Sequence, residues 1–121
     1  MTIGLGGMTI DCADPRTLAK FWTAALDYEI GTDIMGVFVF LAPKGAKPGE
    51  APYLGLQKVP EVRSGKNRAH LDFHTDDRHA EVERLVGLGA TVLAEHKVPG
   101  LTWSVLADPE GNEFCVGSPN G

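Results

Sequence analysis

The feature that most constrains this chain is a pattern that occurs twice. "MTIDCA" (Met8 to Ala13) alternates, with Met8, Ile10 and Cys12 on one face and Thr9 and Asp11 on the other, which predicts a half-buried strand. Asp14-Pro15 then opens a helix, the aspartate as N-cap and the proline at the first helical position, where its missing N–H costs nothing. Leu18, Phe21, Trp22, Ala25 and Leu26 follow at helical spacing as one apolar stripe. A short strand near Glu29 to Asp33, the apolar run "GVFVFLAP" closed by Pro43, a Gly/Pro/Lys loop and the strand Tyr53 to Val59 complete the first pass.

The second pass repeats the order. "AHLDFHT" predicts a strand with Leu71 and Phe73 on one face and His70, Asp72 and His74 on the other. Asp76 or Asp77 caps a helix with the stripe Val82, Leu85 and Val86, and Gly89 stops it. "ATVLAE", "LTWSVLA" and "EFCVG" supply three more strands. The last two are joined through "DPEGN", whose proline presets φ and whose glycine and asparagine tolerate positive φ, so a hairpin with a five-residue connection is expected. Along its second strand Glu113 and Cys115 point one way, Phe114 and Val116 the other.

The expected fold class is therefore α+β, with two βαβββ modules over roughly residues 3–60 and 67–118 of a single domain spanning 1–121. Each sheet has one apolar face covered by its helix. Two such sheets side by side form a curled half-barrel with a helix outside each module and a concave cleft within. The cleft is lined by the residues that alternate away from the helices: Thr9, Asp11, Tyr53, Gln57, His70, Asp72, His74, Glu113 and Cys115, with Trp103 flanking the final turn.

Bulk properties narrow the partners. A chain of 121 residues with net charge -5 has no basic stripe for nucleic acid. No apolar run reaches membrane-spanning length and the N-terminus lacks a signal-peptide plan, so a cytoplasmic protein is expected. Cys12 and Cys115 are expected to be buried, reduced thiols rather than a disulfide.

The doubled plan together with "DCADPRTLAKFWTAAL", "NRAHLDFHTDD" and "DPEGNEFCV" resembles the vicinal oxygen chelate superfamily, and within it the glyoxalase-like proteins. The superfamily includes glyoxalase I, extradiol dioxygenases, fosfomycin-modifying enzymes and bleomycin resistance proteins. The resemblance implies a cleft for a small organic molecule and, commonly, a homodimer. It also implies a divalent ion held from the first, fourth, fifth and eighth strands. Those positions fall here on Gly7, which has no donor, near Gln57, a weak donor, on His70 and on Cys115, with Glu113 as a substitute for the last. The expectation is a degraded site without a metal. Were zinc, nickel, manganese or iron held, the ligands would be His70, Glu113 and Cys115.

Two function classes follow: a binder of a small molecule without turnover, or a divergent metal-dependent lyase, isomerase or dioxygenase. Individual residues leave alternatives. Cys115 reads as a buried thiol, with Asp72 and Glu113 opposing its ionisation. Asp72 or Glu113 serves as a general base, or Asp72 is a structural partner of Arg68 or His74; without a metal, His70 reads as a polar pocket group hydrogen-bonded to Asp72, Gln57 or a ligand. Phe21 and Trp22 read as core. Trp103 either stacks on a flat ligand or caps the core, the core being preferred. His79, on a helix, and His96, on a loop, read as solvated.

Overall fold

The computed structural model describes residues 3–47 and 49–119, so Pro48 of the expected loop lies outside the described residues. The chain divides between Val62 and Arg63 into two compact units. The first runs β1 (Gly7–Cys12), α1 (Pro15–Leu26), β2 (Tyr28–Ile34), β3 (Phe38–Pro43) and β4 (Tyr53–Lys58). The second runs β5 (Leu71–His74), α2 (Arg78–Leu88), β6 (Thr91–Val98), β7 (Leu101–Ala107) and β8 (Glu113–Ser118). The sheet orders are β1-β4-β3-β2 and β5-β8-β7-β6. In each unit the first and last strands pair in parallel and the other neighbours are antiparallel. The α+β plan of two βαβββ modules is what the chain adopts.

In the first unit the helix forms where its capping chemistry begins. The Asp14 carboxylate accepts from the Thr17 backbone N–H at 3.2 Å and from the Thr17 hydroxyl at 2.7 Å. These bonds hold the Asp14 carboxyl below the usual carboxylate range. Leu18, Ala19, Phe21, Trp22 and Ala25 are buried on α1, and Val39, Leu41, Leu54 and Leu56 on the sheet. Each large side chain so placed contributes roughly 1.5–3 kcal/mol of transfer free energy. Met35, Gly36 and Val37 join β2 to β3; Met35 and Gly36, both at positive φ, are the central residues of a turn closed by the Val37 N–H donating to the Ile34 carbonyl at 2.9 Å, and its twist suits the strands it links. Arg16 on α1 braces that turn by donating from Nε to Asp33 at 2.7 Å, while Asp33 accepts the Gly36 N–H at 2.8 Å.

The second unit keeps its expected cap and departs from expectation in two places. Of the two aspartates expected to cap α2 it is Asp77 that does so, accepting from the Ala80 N–H at 3.1 Å. Val86 is exposed, and the buried positions of α2 are Arg78 and Leu85, seven residues apart and thus on one side after two turns. The Arg78 guanidinium is buried and donates to Glu95 and to the Ser104 hydroxyl, each at 2.8 Å, tying α2 to β6 and β7. At the opening of the helix, this arginine fastens α2 to its sheet. Finally, β6 continues to Val98, so His96 lies on a strand, not a loop. The reversal is displaced to Gly100, at φ 84, where glycine adopts the left-handed backbone without strain. Among the described residues no helix is long and apolar enough to cross a membrane.

Candidate functional site

Side-chain alternation and strand register together decide which residues share the face turned away from each helix. In the second unit Asp72 lies beside Cys115, which lies beside Val105, while Glu113 opposes Ala107 and Trp103 opposes both Gly117 and His96. Cys115, Glu113, Asp72 and Trp103 therefore belong to one face. The opposite face carries Phe73 and Phe114, whose rings meet edge to face at 5.9 Å.

On the first face three donor atoms gather. His70, Asp72 and Cys115 each offer one, all within 4.8 Å of one another. His70 Nε2 lies 3.3 Å from Asp72 Oδ1, one of the pairings expected of His70, and Asp72 meets His70 and the Cys115 thiol rather than Arg68 or His74. His70 and Asp72 are exposed and Cys115 is buried. Burial, then the Asp72 charge and its hydrogen bond with the thiol, then the Glu113 charge push the Cys115 thiol up from its ordinary value. The thiol is thus held protonated at neutral pH, against any role as nucleophile. We expect peptide-resolved alkylation of Cys115 by iodoacetamide at pH 8 to be at least ~10-fold slower than in the urea-unfolded chain. Its pH profile should be displaced upward, and Asp72→Asn should move it back down. Equal rates for folded and unfolded protein would refute this placement.

Glu113 does not join the donor set. The Arg63 guanidinium binds its carboxylate and also donates from Nε to Asn67 at 3.2 Å. A carboxylate neutralised by arginine is a poor candidate to turn toward a metal, and Asp72 takes the third position that the sequence pattern assigns to Glu113. Arg63 escapes sequence reasoning because it sits in an irregular segment with no periodicity to read. Trp103 is half-buried on the Cys115 face and its ring lies 5.2 Å from His96, tilted by 32°. The preference for a core role is therefore corrected: the buried face of β7 is made by Thr102, Ser104 and Leu106. His79 is exposed, as expected, with its ring 3.5 Å from the Arg78 guanidinium.

In the first unit the face turned from α1 carries Thr9 and Asp11 on β1, Tyr53, Gly55 and Gln57 on β4, and Phe38 and Phe40 on β3. Thr9 and Asp11 are exposed and Gln57 half-buried. Phe38 and Phe40 stack at 5.0 Å, and Tyr53 meets Phe40 edge-on at 5.0 Å. The two phenylalanines are absent from the residues expected to line the site, although the F-V-F-L alternation of β3 contains the signal.

At Gly7, where the resemblance puts a ligand and this chain has no donor, the space is also taken. A Cβ at Gly7 would fall 2.6 Å from two ring carbons of Tyr53 and also against the Tyr53 backbone carbonyl. Real Cβ atoms do not approach that closely. The place where a first-strand side chain would begin is filled by Tyr53. The residues present therefore do not fit the metal set that the resemblance implies: the first position has neither donor nor room, and Glu113 is bound to Arg63.

The fold and this site define a class. A family model described as glyoxalase-like domain matches residues 7–117, and the chain belongs to that family. Its fold is shared with solved structures of the glyoxalase, bleomycin resistance and dioxygenase group. A glyoxalase/bleomycin resistance protein/dioxygenase family enzyme from Burkholderia phytofirmans PsJN has a TM-score of 0.74 at 17% identity, over 96% of this chain and 99% of that one. The genomically encoded fosfomycin resistance protein FosX from Listeria monocytogenes has a TM-score of 0.75 at 15% identity, over 98% and 94%. TnmS3, an antibiotic binding protein from Streptomyces sp. CB03234, has a TM-score of 0.70 at 26% identity, over 99% of both chains. No curated protein matches the chain.

Proposed function

We propose that this glyoxalase-like protein binds a small organic molecule on the faces turned from its helices, without turnover at a metal. The observation that carries this reading is the Tyr53 ring and carbonyl standing where the first-strand donor would have to start. The Arg63–Glu113 pair supports it by engaging a second candidate ligand. The antibiotic-binding activity named for TnmS3 is the same class of function on the same fold. Half-buried aromatics beside hydroxyl, carboxamide and carboxylate groups are the lining expected of such a site.

One observation favours a second reading. His70, Asp72 and Cys115 offer nitrogen, oxygen and sulfur donors within 4.8 Å, a mixed set that suits zinc better than manganese or magnesium. Thermal-shift measurements separate the two, because a ligand that binds only the folded state raises the midpoint by mass action. Bleomycin and a panel of planar phenols are expected to raise it, and Mn²⁺, Ni²⁺ and Zn²⁺ to leave it unchanged. A rise with Zn²⁺ that disappears in His70→Ala, with no response to any organic probe, would overturn the proposal.

A further inference from the structure

The face of the first unit's sheet that turns from α1 combines aromatic rings with one sign of charge. Its β3 row holds Phe38 and Phe40 nearly parallel, 13° apart, with the Tyr53 ring at 82° to Phe40. Gly55 is buried, and Thr9 Oγ1 and the Phe40 and Tyr53 rings close over it, 2.8–3.5 Å from the position a Cβ would take. The strand register places Asp11 beside Gln57 and Gln57 beside Phe38, so one row crosses from a carboxylate through a carboxamide to an aromatic ring.

Among the described residues, the charged side chains of the strands on that face are acidic. Register assigns to it Asp11 and, opposite Ala42, Glu29, whose carboxylate accepts the Gly45 N–H at 3.1 Å. The lysine of β4, Lys58, is paired with Cys12 and belongs to the helix-facing side. Asp33 also belongs to that side, bound to Arg16. Aromatic faces carry negative quadrupole potential, which adds to the carboxylates in attracting positive charge.

We infer that this face recognises a planar aromatic cation, its rings against Phe38 and Phe40 and its positive charge toward Asp11. The span is selective. Phe38 and Asp11 are two strands apart, on the order of 10 Å, which is the long dimension of a fused two- or three-ring system. A single ring that stacks on Phe38 does not reach the carboxylate. A neutral tricycle gains the stacking without the charge term. The inference rests on the binder reading and gives it a ligand class.

The probes are proflavine, a planar tricyclic cation; acridone, its neutral planar counterpart; and cyclohexylammonium, a cation without aromatic rings. Fluorescence titration should give saturable proflavine binding, at least fivefold tighter than acridone, and none with cyclohexylammonium. Asp11→Asn should weaken proflavine at least fivefold while leaving acridone within twofold. Phe38→Leu, which keeps apolar bulk and removes the ring, should weaken both. Equal affinity for proflavine and acridone, or proflavine binding unchanged in either variant, would overturn the inference. Protein that responds to bleomycin or planar phenols but shows no saturable proflavine signal also overturns it and leaves the binder reading standing. Protein that responds to no organic probe refutes both.

Discussion

Gly7→His lowers the unfolding free energy by about 3 kcal/mol and creates no metal site. Restoring the donor that the family plan places on the first strand would be the obvious attempt to revive metal chemistry, and the geometry of Tyr53 opposes it. The new Cβ meets two ring carbons at 2.6 Å and the carbonyl of the same residue. The ring can rotate away, but the carbonyl is fixed by the β1–β4 pairing, in which Gly7 lies directly opposite Tyr53. The Tyr53 N–H is itself engaged by the Gly6 carbonyl at 3.0 Å. Tyr53→Ala in the same chain should therefore recover only part of the loss. Urea unfolding measures both. A Gly7→His protein as stable as the parent would show that Tyr53 does not hold that place, and the binder reading would lose its main support.

Asp108→Ala costs about 2–4 kcal/mol, because a buried carboxylate that accepts several hydrogen bonds is removed at once. Asp108 is 3% exposed and accepts from the backbone N–H groups of Glu110 and Asn112 at 2.9 and 3.0 Å and from the Asn112 side chain at 3.1 Å. Its own N–H donates to the Asn112 carbonyl at 2.8 Å. These bonds fix the connection that delivers β8, and with it Glu113 and Cys115, into register with β7. Chemical denaturation should show the loss. Alkylation of Cys115 should accelerate in the same variant, since its burial depends on β8 being seated. A stability change below about 1 kcal/mol, the worth of one ordinary hydrogen bond, would mean the turn holds without its carboxylate.

That turn is legible in the residues themselves, and so is most of the fold, for a common physical reason. "DPEGN" requires special backbone angles that few residues satisfy, and Asp14-Pro15 meets a helix N-terminus in the one place where proline is tolerated. The α1 stripe can be read because burial there is set by each residue's neighbours at three and four positions. What escapes reading depends on contacts between distant segments. Arg78 is buried only because Glu95 and Ser104 come to meet it. Glu113 reads as a metal donor because nothing in its own strand announces Arg63. Gly7 reads only as a missing donor, because a glycine says nothing about which neighbour takes the space. His96 reads as loop because its strand is prolonged by pairing with Trp103, not by its own propensity. The opposition of Asp72 and Glu113 to ionisation of the Cys115 thiol is legible, since alternation alone puts those charges on its side.

The parallel seams of the two sheets bear on how the chain is made. Strand β1 must find β4, whose partner residues lie some 45 positions later, as the Cys12 and Gln57 contact illustrates. A nascent chain leaving the ribosome N-terminus first cannot close that seam until β4 has emerged. Helix α1 and the tight β2–β3 turn need only local sequence and can form in the interval. Closure of each seam is thus the late step, and the second half must repeat the wait from the beginning.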